Sequence, residues 1–138
     1  MQSTTTIALV HSAHPPWDAL RVALTAQPDV QIVGDVGPTQ PLGTLAGRHP
    51  TVMLVDADLP DRPPVPLVRA LCALCPASKL ILLGATATLD GAALITLHDQ
   101  GIRGYFVWEE LRRETVRRAL PLVVEDDALV ASPIVLSG

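Results

Sequence analysis

The sequence predicts an α/β domain, a doubly wound parallel sheet of five strands with helices on both faces. Short apolar runs bounded by turn-forming residues are typical of strands that are buried on both faces of a parallel sheet. These runs alternate with stretches of about ten to fifteen residues that have helical spacing, which is the pattern of strand–helix–strand units. A chain of 138 residues is long enough for one such domain with its own core.

The first two strand–helix pairs are predicted within residues 6–48. Thr6–Val10 is a short apolar strand, and a helix over residues 17–27 follows it. The apolar face of this helix repeats at helical spacing through Trp17, Leu20 and Leu24. Val30–Val36 is the second strand. Residues 37–48 are rich in proline and glycine, so we expect any helix there to be short or irregular.

The third strand ends in a charged residue. Val52–Asp56 has four apolar residues followed by a carboxylate, and Pro60 prevents the strand from continuing. Either Pro64 or Pro66 suits the first turn of the helix that follows, and this helix ends before Pro76. Its buried stripe consists of Leu67, Leu71 and Leu74.

The remaining elements complete the alternation. Lys79–Leu83 is the fourth strand, and residues 90–100 form a helix that a glycine ends. Tyr105–Val107 is the fifth strand. Residues 110–124 form the last helix, which a proline near its end should kink or break early.

Composition excludes some classes of function. The formal net charge of −4 argues against a nucleic-acid surface on this chain, because binding to the phosphate backbone needs a positive field. The start of the chain lacks the features of a signal peptide, and no window approaches the roughly 18 apolar residues that a membrane span requires. We therefore expect a cytoplasmic protein that does not contact a membrane.

The two cysteines, Cys72 and Cys75, form a lone C-x-x-C pair on a predicted helix. Metal sites of this kind normally need two further ligands nearby in the sequence, so we expect reduced thiols without a metal or redox role. The sequence also contains no Walker loop, dinucleotide-binding glycine motif or nucleophile elbow. A flavodoxin-like enzyme or nucleotide binder is therefore disfavoured, and the chain is not predicted to be an enzyme.

Asp56 is the first candidate functional residue. Ligands and chemistry in open parallel sheets lie at the carboxyl ends of the central strands, and the third strand delivers Asp56 to that edge. The run from Pro50 to Pro60 resembles the receiver domain of bacterial two-component response regulators of the NarL/FixJ-like branch. The resemblance also rests on Gly101–Phe106, on the spacing between these two runs, and on the ending Ala131–Pro133.

This resemblance covers roughly Thr5 to Pro133 and implies a flavodoxin-like, CheY-like (βα)5 fold. It implies that residues 1–130 are the receiver domain and that residues 131–138 begin a linker, in that family a linker to a DNA-binding helix-turn-helix domain. By position, Asp56 is similar to the aspartate that accepts a phosphoryl group. Tyr105 matches the aromatic residue that reorients on activation.

Other positions depart from the family pattern. Two acidic residues that help to bind Mg²⁺ are replaced by His11 and Ser12. A threonine or serine that contacts the phosphoryl group is replaced by Gly84, and a lysine that pairs with it is replaced by Trp108. The resemblance is therefore to an atypical receiver with a degenerate phosphorylation pocket.

Physical reasoning leads to the same expectation. Mg²⁺ prefers hard oxygen ligands, and Asp56 with a backbone carbonyl near Asp58 offers too few of them. A phosphoryl group adds about −1.5 to −2 charge, which nothing obvious in the sequence neutralises. We expect weak or absent Mg²⁺ binding, no other cofactor, and inefficient phosphorylation of Asp56.

The sequence allows more than one interpretation of the pocket residues. Asp56 either caps a loop amide or pairs with His11, whose imidazolium could mimic the missing cation; a solvated loop histidine is the alternative for His11. Trp108 either plugs the pocket or covers the sheet end. The pocket bounded by His11, Ser12, Asp56, Gly84 and Trp108 could also hold a small-molecule ligand.

The leading functional hypothesis is an atypical receiver that controls transcription through an attached or partner DNA-binding domain. A homodimer through the last helix is expected, since this helix carries a basic face that is interleaved with glutamates. The arginines of this face are Arg112, Arg113, Arg117 and Arg118. The alternatives are a stand-alone pseudo-receiver that binds a small molecule or a protein, a receiver locked in one state, and a conventional receiver phosphorylated at Asp56.

Overall fold

The computed structural model describes residues 5–12, 15–37, 40–59, 62–84, 91–100, 102–107 and 130–131. The strands are β1 (Thr5–Val10), β2 (Val30–Val36), β3 (Val52–Asp56), β4 (Lys79–Gly84), β5 (Ile102–Val107) and β6 (Val130–Ala131). The helices are α1 (Pro15–Thr25), α2 (Pro64–Leu74) and α3 (Gly91–Gln100), and a single 3₁₀ turn covers Leu42–Leu45. The strict alternation of strands and helices over residues 5–107 is thus confirmed.

All strand pairs in the sheet are parallel, and the strand order is β2-β1-β3-β4-β5-β6. The first five strands have the flavodoxin-like, CheY-like order that was expected. The two-residue strand β6 was not predicted, because a segment this short carries no periodicity. It pairs Val130 and Ala131 with Gly104 and Tyr105, at the predicted boundary of the domain.

Two apolar layers cover the sheet. On one face, Trp17, Leu20 and Leu24 of α1 pack against alternate residues of the central strands, including Leu9 and Leu54. On the opposite face, α2, α3 and the 3₁₀ turn pack against the intervening residues of the same strands. Every residue of β3 is buried, which explains its unbroken apolar sequence.

The helix between β2 and β3 is short, as the proline and glycine content of this segment predicted. The 3₁₀ turn replaces a full helix, and Leu45 supplies its only fully buried side chain. Leu45 lies directly over Gly34 of β2: a Cβ atom added at residue 34 would be 2.7 Å from Leu45 Cδ2. Because Gly34 has no side chain, Leu45 of the 3₁₀ turn packs directly against the backbone of β2.

Some predicted boundaries shift by a few residues. Helix α1 begins at Pro15 rather than at residue 17, because proline is well suited to the first turn of a helix. Strand β5 begins at Ile102, three residues before its predicted start. The last predicted helix, over residues 110–124, the residue Trp108 and the segment 132–138 lie outside the described residues.

None of the helices that the structure describes is both long enough and apolar enough to span a lipid bilayer.

Substitution of Gly34 by alanine should destabilise the domain by about 1–3 kcal/mol, because the new methyl group overpacks against Leu45. Gly43 is the matched control, since a Cβ atom there meets nothing within 4 Å. Urea denaturation of both variants checks this prediction. Equal stability of Gly34→Ala and Gly43→Ala would contradict the close contact between Leu45 and β2.

Candidate functional site at the carboxyl edge of the sheet

The carboxyl ends of β1, β3 and β4 meet at one edge of the sheet and bring together most of the predicted pocket. His11 and Ser12 follow the last residue of β1, and Asp56 is the last residue of β3. Asp58 lies in the turn after β3, and Gly84 ends β4. Parallel strands end at the same edge, so the predicted strands and the resemblance to receiver domains together predicted this grouping.

The Asp56 carboxylate accepts hydrogen bonds on both oxygens. Oδ2 accepts from the Ser12 amide at 3.2 Å, from Ser12 Oγ at 2.5 Å and from Trp17 Nε1 at 3.0 Å. Oδ1 accepts from the Asp58 amide at 2.7 Å. We refer to Asp56 and its donor residues Ser12, Trp17 and Asp58 as the Asp56 clasp.

Three of the four clasp residues, Ser12, Trp17 and Asp56, are buried, whereas Asp58 is exposed. Asp56 is 2% exposed and Trp17 is 1% exposed. A buried carboxylate costs several kcal/mol unless hydrogen bonds replace its water, and the four donors do so here. The structure therefore shows Asp56 capping a loop amide, that of Asp58, which was one of its two predicted roles.

Trp17 is the residue of this site that the sequence analysis missed. Its helical spacing placed it on the apolar face of α1, and its ring does belong to that layer of the core. The available signal was chemical: a buried indole N–H usually finds an acceptor, and α1 begins soon after the strand that carries His11 and Ser12. Periodicity identifies the face of a helix and gives no information about this donor.

The predicted pairing of His11 with Asp56 is wrong. His11 Nε2 instead contacts Oδ1 of Asp35 on β2, and its Nδ1 lies 2.8 Å from the Ser12 carbonyl. The amide of His11 donates to the Val36 carbonyl at 2.9 Å, which continues the pairing of β1 with β2. Successive side chains of an extended segment point in opposite directions, so Ser12 faces Asp56 and His11 faces β2.

His11 is therefore not a solvated loop histidine either, since its side chain is only 13% exposed. Arg21 of α1 joins it: Arg21 donates to Asp35 Oδ2 at 3.0 Å and to Asp18 Oδ1 at 3.0 Å. The ring of His11 also lies against the Trp17 indole, with 5.9 Å between the ring centroids. We call His11, Arg21 and Asp35 the His11 network.

Gly84 and Tyr105 are neighbours at the end of β4. A Cβ atom added at residue 84 would lie 3.3 Å from Tyr105 Oη and 3.4 Å from Asp58 Oδ2. The Tyr105 side chain is completely buried. The tyrosine hydroxyl thus lies beside the space that a larger residue than Gly84 would enter.

Within the described ranges, no group of three or more histidine, cysteine, aspartate or glutamate side chains has an arrangement that could hold a metal ion. Both cysteines are free. Cys72 Sγ donates to the Gln100 carbonyl at 2.9 Å, and Cys75 Sγ donates to the Leu45 carbonyl at 3.7 Å. Burial raises the pKa of both thiols, which fits the expected unreactive pair.

No protein-family model matches the chain, and no curated protein matches it. Solved structures do match. A two-component response regulator of the LuxR family from Aurantimonas sp. SI85-9A1 has a TM-score of 0.79 and 16% identity, covering 98% of this chain and 94% of its own.

Two structures of RcsB are also similar. The isolated receiver domain from Salmonella enterica serovar Typhimurium, solved in the presence of phosphomimetic BeF₃⁻, has a TM-score of 0.75 and 17% identity, covering 98% of both chains. RcsB dimers bound to two parallel DNAs give a TM-score of 0.76 and 16% identity, covering 98% of this chain and 66% of that one. The chain therefore has the fold of response-regulator receiver domains.

Substitution of Ser12 by alanine should cost about 1.5–3 kcal/mol, because it removes a buried hydrogen bond to a charged group. Thr25→Ala is the control, since the Thr25 hydroxyl bonds its own helix at an exposed position and its loss should cost under about 0.5 kcal/mol. Chemical denaturation measures both values. In an Asp56→Asn background the cost of Ser12→Ala should shrink; an unchanged cost would show that the two residues are not coupled.

The raised pKa values of Cys72 and Cys75 predict how alkaline pH affects the protein. The folded state holds both protons more tightly than the unfolded state does, so this contribution to stability is complete below the ordinary thiol pKa of about 8.5. This contribution is lost as the pH rises through the pKa values that the two thiols have in the folded protein.

Alkylation of the native protein at neutral pH should be slow for both thiols, because a raised pKa leaves little of the reactive thiolate. A fast reaction of either thiol would contradict the burial that raises its pKa.

Proposed function

We propose that this chain, which has the receiver fold, is the regulatory module of a NarL/LuxR-type transcription factor and works without Mg²⁺-dependent phosphorylation of Asp56. The observation that supports this most directly is the Asp56 clasp. The carboxylate that would accept a phosphoryl group already accepts four hydrogen bonds, one of them from a buried tryptophan.

Access to Asp56 is the first obstacle to phosphorylation. An attacking carboxylate oxygen must reach phosphorus in line with the leaving group, with little tolerance for misplacement. Oδ2 accepts from the Trp17 indole N–H and from both donors of Ser12. Attack by this oxygen requires Trp17 to leave the core layer that it shares with Leu9 and Leu54.

Charge is the second obstacle. The added charge of about −1.5 to −2 must be neutralised by a metal ion or by cationic side chains. The two basic side chains of the neighbouring His11 network, His11 and Arg21, are both engaged with Asp35. At the position of the family lysine the sequence has Trp108.

A Mg²⁺ site is the third missing part. The ion requires near-octahedral oxygen ligands and usually one or two carboxylates. His11 points to β2, and the Ser12 hydroxyl donates to Asp56, so neither residue supplies a carboxylate in place of the family's acidic pair. Binding of Mg²⁺ is expected to be weak or absent.

The output in this proposal is a protein–protein function and not an enzymatic one. With Tyr105 buried beside Gly84, one packing of this edge is favoured without any phosphoryl group. A receiver held in one state, or one biased by a small molecule, then acts on an attached or partner DNA-binding domain. The similarity to a LuxR-family regulator and to a DNA-bound RcsB dimer supports this assignment. The similarity to the RcsB dimer also supports dimerisation of this chain. Residues 110–124 remain the candidate surface for this dimer.

The test is titration with Mg²⁺ and beryllofluoride, followed by ¹⁹F NMR and by indole fluorescence. We expect no bound fluoride signal for Asp56 and no change in Trp17 emission, whereas the receiver domain of RcsB serves as the positive control. A variant that restores the acidic pair, His11→Asp with Ser12→Asp, shows whether the lost residues alone explain the result. Stoichiometric beryllofluoride on the wild-type chain would instead establish a conventional receiver that uses Asp56.

A further inference from the structure

The two ring nitrogens of His11 both face hydrogen-bond acceptors. Nδ1 lies 2.8 Å from the Ser12 carbonyl, and Nε2 contacts a carboxylate oxygen of Asp35. A carbonyl and a carboxylate can only accept, so both contacts are satisfied together only when the imidazole carries two protons. The geometry therefore fits the imidazolium form of His11.

Either neutral form must give up one of these contacts. With the proton on Nδ1, the bare Nε2 faces the Asp35 carboxylate, although it could accept from Arg21 NH2 at 3.2 Å. With the proton on Nε2, the bare Nδ1 faces the Ser12 carbonyl. Loss of one proton thus breaks the contact with Asp35 or the contact with the Ser12 carbonyl, and it lets the ring or the backbone of Ser12 move.

Those movements affect the Asp56 clasp through two residues that His11 contacts, Ser12 and Trp17. Ser12 gives Asp56 both its amide and its hydroxyl, and the His11 ring lies against the Trp17 indole that supplies the third bond to Oδ2. His11 itself makes no hydrogen bond to Asp56. Its influence on the clasp passes through the two residues that it touches.

Within the part of the chain that the structure describes, the charged groups in contact with the His11 network lie on two packed elements. Strand β2 contributes Asp35, which is 41% exposed, and α1 contributes Arg21, which bonds Asp18 on its other side. In the loop after β2, Gly37 approaches the ring, and the nearby Gln40 is uncharged. On β3, Asp56 lies beyond Ser12. The Asp35 carboxylate thus lies between the His11 ring and the Arg21 guanidinium.

We propose that His11 is a proton-sensitive latch for the Asp56 clasp: its imidazolium ties β1 to β2 and holds Ser12 and Trp17 on Asp56, and its deprotonation loosens them. Histidine changes charge within about pH 5–8, so the latch would respond in the physiological range. This inference depends on the clasp geometry, and it holds whether or not Asp56 can be phosphorylated.

The experiment follows the Trp17 indole N–H and the His11 ring by NMR in the wild-type chain between about pH 5 and 8.5, a range that spans the ordinary titration of histidine. Trp17→Phe assigns the indole signal. The protection of this N–H against exchange with water, relative to free indole, should fall by about fivefold as His11 loses its proton, the effect of one weakened hydrogen bond.

His11→Gln cannot titrate and should show the same protection at every pH, whereas exposed His49→Gln is the matched control and should behave like the wild type. Asp35→Asn keeps His11 but removes the carboxylate that its Nε2 contacts, so Trp17 protection should depend less on pH than in the wild type; this variant tests the idea even if His11→Gln fails to fold. The latch is disproved if the His11 ring titrates while Trp17 protection stays constant, or if the transition persists in His11→Gln.

Discussion

The central constraint on this structure is a buried negative charge that must be fully hydrogen-bonded. Strand β3 is apolar along its whole length and ends in Asp56, so the carboxylate emerges inside the protein and not in water. Its four hydrogen bonds come from the segment after β1, the start of α1 and the turn after β3. The positions of these three segments relative to one another are therefore set by one side chain.

This constraint explains why a receiver scaffold would lose its usual chemistry without losing its fold. A phosphoryl acceptor needs solvent access, whereas Asp56 is buried, and in the proposed function it also lacks a metal ion beside it. Once Ser12 and Trp17 satisfy the carboxylate, acidic residues in their vicinity would repel it, and histidine and serine at positions 11 and 12 are compatible with the new arrangement. The carboxylate is retained in the proposed function as a structural hydrogen-bond acceptor.

The rest of the edge is consistent with a protein that does not use phosphate. Gly84 leaves room for the hydroxyl of Tyr105, which is completely buried. Strand β6 pairs with the backbone of β5 at Gly104 and Tyr105.

The sequence by itself determined the strand–helix alternation, the minimal cover between β2 and β3, and the edge at which the site lies, because apolar runs and proline or glycine content are local properties. It could not determine which partner each polar side chain finds. His11 faces Asp35 and not Asp56 because backbone pairing with Val36 sets the direction of its side chain, and Trp17 reaches Asp56 only because α1 packs over β3. Those choices depend on contacts between residues that are distant in the chain, and only the tertiary structure decides them.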